Sequence, residues 1–360
     1  MSPHACHCVC CAAPRGGVRA LGRPGGAQIM NPHARRSRGA ALLAAMLTVT
    51  LVASFAATAL WQQWRAVEIE SAERSRVQAA WILTGALDWA RLILREDGRS
   101  GGVDHLSEPW AVPLQEARLS SFLAADKNNS ATDSTDSSLD VFLSGRIEDM
   151  QSRLNVTNLT DANKVSEPDL MSFTRLFDLL GLPQGELLQL ARNLRIASDP
   201  SPDSRFAASI PLKPQRLEQL AWLGLSQATL ERLRPYISLL PARTPINLNT
   251  AGAEAIYASI PGLEMAQAQR LVDERARSHF RTLSDAGGLI GELANRISEG
   301  RHSVTTRFFE VHARLRMERT VIEERSLLQR DGLAVKTLWR ERAALDPLPA
   351  AARAATQSLQ

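Results

Sequence analysis

From Ala40 to Trp61 nearly every side chain is apolar, and no charged residue occurs between Gly39 and Trp64. About twenty residues of helix, rising 1.5 Å each, cross the roughly 30 Å hydrocarbon layer of a bilayer. Arg35, Arg36 and Arg38 precede the run. Basic flanks stay on the cytoplasmic side, so the rest of the chain is expected across a membrane in a single pass. A cleaved secretory signal is the competing reading, because Ala57-Thr58-Ala59 has the small-x-small form of a signal-peptidase site. The continuation argues against it. No Pro or Gly appears from Ala40 until Gly85, and apolar residues recur every three or four positions at Trp61, Trp64 and Val67, then at Val77, Ala80, Leu83, Leu87, Ala90 and Leu94. That periodicity predicts one helix over 40–97, stopped at Gly98, a rod of about 85 Å.

The charge balance follows the same division. The sequence pI near 9.1 would suit a nucleic-acid binder. Six arginines, and no Asp or Glu, lie in the first 39 residues, and the remainder holds 36 basic against 38 acidic side chains, a net charge of −2. The basic excess belongs to the N-terminus, so charge alone gives no case for nucleic acid in the body. All four cysteines, Cys6, Cys8, Cys10 and Cys11, fall in the first eleven residues beside His4 and His7. Structural zinc sites space their ligand pairs across a folded loop, which this segment does not supply. Residues 1–29 are expected to be a non-native extension, with Met30 as initiator and 30–39 as a short leader.

A basic leader ending in Gly, then an apolar run that opens a long amphipathic helix, resembles the type IV pilins and type II secretion pseudopilins. The resemblance implies cleavage by a prepilin peptidase between Gly39 and Ala40, with methylation of the new N-terminus. Most members carry Glu at the fifth residue after the cut; this chain has Ala44. In the family that carboxylate is thought to pair with a neighbouring subunit's N-terminal amine in lipid, where a lone charge is costly. Its absence is typical of the protein K family, a minor pseudopilin at the filament tip.

Further strings carry the same likeness. Glu108-Pro109-Trp110-Ala111 resembles an E-x-W-A region of protein K relatives. Gly145-Arg146-Ile147-Glu148-Asp149 and Leu154-Asn155-Val156-Thr157-Asn158-Leu159 resemble their G-R-I-x-D and L-N-L-N-N-L strings. Residues 139–159 have strand-like alternation, predicting two short strands with a bend near Gly145. Residues 161–300 read as helices near 167–180, 184–197, 214–223, 226–240, 250–260, 264–277 and 283–294. Strict alternation returns at Phe309, Val311, Ala313, Leu315 and Met317, followed by strands over 321–329 and 333–340 joined at Asp331-Gly332. The expected fold is α+β: a pilin-like N-terminal helix and an antiparallel sheet, with a large all-helical domain inserted between strands. The pilin-like parts are 98–160 and 301–342, the insert is 161–300, and 343–360 reads as a flexible tail.

Residues 244–289 resemble a helix-hairpin-helix module, a form that grips DNA phosphates with hairpin amides and a helix N-terminus. This makes a membrane-tethered DNA-binding protein the alternative function. Glu264 stands where the DNA-binding form has its second hairpin glycine, after Pro261-Gly262-Leu263, and places negative charge at the phosphate position. Structural use of the motif is therefore favoured over nucleic acid, with Asn247, Asn249 and Thr250 capping the start of the helix, and Arg270, Arg275, Arg277 and Arg281 as solvated surface arginines.

No catalytic constellation is present. Gly98-Arg99-Ser100-Gly101-Gly102 fits the G-x-S-x-G spacing, but a nucleophile elbow needs a strand before it and a helix after. Past Gly39 the histidines are His105, His279, His302 and His312, none with ligand spacing, and His312 is expected to be exposed on the polar side of its strand. The one cofactor candidate is calcium, for which Asp126, Asp133, Asp136 and Asp140 offer hard oxygen ligands without EF-hand spacing. The protein K likeness implies a non-enzymatic role in exporting folded proteins, in the bacterial inner membrane with the body in the periplasm. It also implies minor pseudopilins I and J, the pseudopilus, the inner-membrane assembly platform and the prepilin peptidase as partners.

Overall fold

The computed structural model describes residues 37–120, 141–198, 211–317 and 320–345. The described residues divide into two units between Ala72 and Glu73. Helix α1, Ser37–Ser100, contributes to both. In the first unit every side chain from Ala40 to Ala72 is exposed. The hydroxyls of Thr48, Thr50, Ser54 and Thr58 bond back to carbonyls three or four residues earlier, so these four side chains satisfy their donors within the helix.

In the second unit α1 buries Ala79, Leu83, Leu87, Ala90 and Leu94, spacings of three and four that line one helical face. Val77, expected on this face, is exposed. The helix runs through Gly98 to Ser100 and ends where Gly101 adopts φ 66°. Gly98 is not the stop. A Cβ there would lie 2.8 Å from the Gly332 carbonyl oxygen, so its role is close approach to the sheet's last hairpin.

The face of α1 lies on five antiparallel strands: β1 (Leu114–Arg118), β2 (Val141–Asp149), β3 (Phe308–Met317), β4 (Thr320–Asp331) and β5 (Ala334–Leu345), adjacent in that order. The predicted alternation is present in β3, where Phe309, Val311, Ala313, Leu315 and Met317 are buried. The break between two strands expected at Gly145 is absent. β2 pairs with β3 without interruption through Gly145, whose Cβ position lies only 2.8 Å from the His312 carbonyl oxygen, while its ladder with β1 shifts register there. The second strand expected near 154–159 is a two-residue bridge followed by a 3-10 turn at Val156–Leu159.

β2 and β3 are neighbours in the sheet, yet the whole helical block lies between them in sequence. It contains α2 (Glu167–Leu180), α3 (Gln184–Ala197), α4 (Gln227–Leu233), α5 (Ala253–Ser259), α6 (Met265–Arg277) and α7 (Leu283–Ile290). They share a core that includes Phe173, Phe177, Leu190, Leu223, Ile256, Leu271 and Phe280. Helix α4 stops well short of residue 240, since Ile237-Ser238 pairs in parallel with Leu154-Asn155. A second parallel bridge joins Ile246-Asn247 to His302-Ser303 and closes the block at its base. Met150 and Leu240 meet Phe308 and Leu327, on the sheet face opposite α1.

Candidate functional site

Gly39 and Ala40 fall in the first turn of α1, and Ala44 is exposed one turn later. Among the described residues α1 is the one helix long and apolar enough to cross a membrane. Leu42, Leu43, Met46, Leu47 and Phe55 are exposed along it, followed by Trp61, Trp64 and Val67. Arg65 places its guanidinium 5.4 Å from the Trp61 ring centre, a cation–π contact on the exposed helix.

The hairpin of the helix-hairpin-helix-like segment is already engaged by the protein. Gly262 takes φ 83° between α5 and α6. Arg175 of α2 donates from its two terminal nitrogens to the carbonyls of Ile260 at 2.8 Å and Leu263 at 2.7 Å, and stacks 4.3 Å from the Tyr257 ring centre. Glu264 is the N-cap residue of α6, and its amide donates to Gln267 Oε1 at 3.0 Å. A carboxylate thus occupies the helix N-terminus at which a phosphate would bind. Arg270 and Arg277 are exposed, but Arg275 turns inward, donates to the Leu248 carbonyl at 2.5 Å, and is lowered to about 10 by burial.

Asn247, Asn249 and Thr250 do not cap a helix; the residue at the N-terminus of α5 is Gly252. All three are buried. Asn249 exchanges two hydrogen bonds with the Phe280 backbone, at 2.8 and 2.9 Å. Asn247 Nδ2 lies 3.0 Å from Asp149 Oδ2, 3.0 Å from Thr306 Oγ1 and 3.1 Å from the Asp104 carbonyl. Thr250 and Thr306 donate to Asp149 Oδ2 at 2.5 and 2.6 Å, and the Gln151 amide donates to Oδ1 at 2.7 Å. Burial lifts the Asp149 carboxyl to about 6, against the lowering effect of these bonds. The motif is therefore a seam that ties the insert to the end of β2.

The loop after α1 completes the seam. Asp104 is buried, accepts from the Thr306 amide at 2.6 Å, and pairs with Arg330 of β4, which also pairs with Asp97 of α1. Arg330 supplies the countercharge to these two acids. Glu108 accepts from Trp110 Nε1 at 2.7 Å and from the His105 amide at 2.9 Å. Burial raises its carboxyl to about 7, with Asp97 and Asp104 adding to the effect. Trp110 is buried edge-on to Phe309 at 5.2 Å. The E-x-W-A string thus reads as a small structural lock.

His312 is half-buried rather than exposed, with Nε2 3.1 Å from Glu310 and 3.9 Å from Glu148, because the outer face of β2 and β3 is partly covered. Ser100 ends a helix and precedes a loop, so no nucleophile elbow forms. Asp126, Asp133, Asp136 and Asp140, and the cysteine cluster, lie outside the described residues. Sequence reasoning did not foresee Asp104, Arg330 or the His105–His279 contact. Asp149 and Thr250, however, lie in two of the strings singled out for their likeness to relatives.

Two family models described as type II secretion system (T2SS), protein K match residues 152–242 and 246–301, within the inserted block and its approach. The type II secretion system protein K of Pseudomonas aeruginosa is 29% identical over 328 residues, covering 85% of this chain and 90% of that protein. That of Pectobacterium carotovorum is 25% identical over 338 residues, covering 85% and 96%. That of Klebsiella pneumoniae is 27% identical over 274 residues, covering 69% and 78%. A chain in the crystal structure of the GspK-GspI-GspJ complex from the enterotoxigenic Escherichia coli Type 2 Secretion System shares the fold, with a TM-score of 0.58 at 18% identity, over 76% of this chain and 98% of that one. The long apolar helix, the sheet, the block inserted between neighbouring strands and these matches all point the same way, and together they support type II secretion system protein K as what this chain resembles.

Proposed function

We propose that this chain is the minor pseudopilin at the tip of the type II secretion pseudopilus, where it starts assembly with minor pseudopilins I and J. It is cut after Gly39, held in the inner membrane by α1, and carries its folded body in the periplasm. The observation that carries this reading is the exposed apolar surface of α1 with Ala44 in place of an acid. Trp61, Trp64 and Val67 offer apolar area to partner helices, at about 25 cal/mol per Å² buried. A chain without the register-setting carboxylate suits the end of a filament, and the insert between β2 and β3 adds bulk that would hinder a further subunit above it. The proposed partners follow from the complex named for the structural neighbour.

Co-expression of the full chain with minor pseudopilins I and J, followed by detergent extraction and affinity purification, tests the assignment. A stoichiometric ternary complex is expected. Recovery of the chain alone, from cells that make all three, would remove the tip role. The DNA-binding alternative requires salt-sensitive binding at micromolar protein that is lost with Arg270→Ala, and the occupied hairpin predicts none.

A further inference from the structure

The rings of His105, in the loop after α1, and His279, between α6 and α7 of the insert, stack with centroids 3.8 Å apart and planes within 8°. We infer that this pair is a protonation-sensitive latch: neutral rings hold the loop against the inserted domain, and charging both rings releases it. The inference is independent of the tip assignment, since it concerns only contacts within this chain.

The geometry favours the neutral state. His105 Nδ1 accepts a hydrogen bond from the Ser107 amide at 3.3 Å, so a proton placed on that nitrogen would displace a donor already there. Both rings are partly buried. Burial, and then His279, hold the His105 imidazole below its usual 6.5, with Asp97 pulling the other way. One proton leaves an imidazolium stacked on a neutral ring, which is tolerable. The second places two like charges 3.8 Å apart.

The surrounding charges sharpen the response. On the α1 side Asp97 is engaged by Arg330 of β4, as is Asp104 of the loop. Glu108, in the same loop, is raised to about 7, and Asp149, at the end of β2, to about 6. On the insert side Arg277 and Arg281 flank His279 two residues away in sequence, and Arg275 is held by the Leu248 carbonyl. His302, on the neighbouring bridge, is lowered to about 4 by burial and stays neutral. On acidification the carboxylates of Glu108 and Asp149 lose their charge, so nearby negative charge no longer offsets the repulsion between two protonated rings. The seam therefore turns positive with Arg330 as a fixed cation beside it.

Hydrogen–deuterium exchange of the full chain in detergent micelles, at pH 7.5 and pH 5.0 and normalised to intrinsic rates, tests this. Peptides covering 103–110 and 274–284 should lose protection at least tenfold at pH 5.0, while β3 and β4 do not. The double variant His105→Phe/His279→Phe, which keeps aromatic contact without charge, should show no such loss against its own pH 7.5 value. If that pair does not fold, His279→Gln serves in its place. Unchanged protection in the wild-type chain, or the same loss in the uncharged variant, would overturn the latch.

Discussion

Thr250 Oγ1 donates a 2.5 Å hydrogen bond to Asp149 Oδ2, joining the inserted domain to the last residue of β2 across a fully buried contact. Thr250→Val keeps the shape and removes the donor. Leaving a buried carboxylate short of one partner should cost about 1–3 kcal/mol, read by urea denaturation at pH 7.5. A change within a few tenths of a kcal/mol would mean that Asn247 and Thr306 already satisfy the carboxylate.

The same carboxylate sets a pH dependence. Burial raises Asp149 from 3.8 to about 6 in the folded chain. A carboxyl whose folded value exceeds its unfolded one weakens the fold when ionised, so stability is gained as pH falls through 6 toward 4. Relative to Asp149→Asn, the wild-type chain should gain about 2 kcal/mol between pH 7 and pH 4, measured as the difference between the two denaturation series. Parallel series would contradict the assignment.

Gly145 and His312 set the spacing of β2 and β3. With its Cβ position 2.8 Å from the His312 carbonyl oxygen, Gly145→Ala forces backbone to move. The variant should lose about 1–3 kcal/mol, the usual cost of overpacking, in thermal or chemical unfolding. Gly101→Asn is a useful contrast, because nothing lies within 4 Å of its Cβ position and Asn tolerates its φ of 66°.

Arg330 neutralises Asp97 and Asp104 in a site where all three side chains are at most 10% exposed. Arg330→Met should cost about 3–5 kcal/mol, because it strands two buried acids. Arg330→Met with Asp97→Asn and Asp104→Asn should recover part of that loss. No recovery in the triple variant would show that the guanidinium acts mainly through its contacts with Phe309 and the Thr306 carbonyl.

The periodic elements were legible from residue order alone. Spacings of three and four gave the buried face of α1 from Leu83 onward, and strict alternation gave β3, because each reflects contact with one continuous apolar surface. The misreadings occur where a distant backbone decides. Gly98 and Gly145 look like breakers in sequence, yet each is glycine because a carbonyl from elsewhere in the fold approaches within 2.8 Å of its Cβ position. Asn247 and Thr250 resemble caps because Asn and Thr are good caps, but their partners Asp149 and Thr306 lie far along the chain. Arg330, His105 and His279 carried no local signal, as their roles depend on loops that meet only once the insert has closed on the sheet.

Mass spectrometry of the mature N-terminus, on chain purified from membranes of cells with an intact secretion system, tests the assembly role most directly. The account predicts a chain that begins at a methylated Ala40, with Gly39 and everything before it removed. A chain beginning at Leu60 would mean a cleaved secretory signal, and one still carrying residues before Ala40 a plain anchor. Either result would contradict the reading of α1 as a pseudopilin helix.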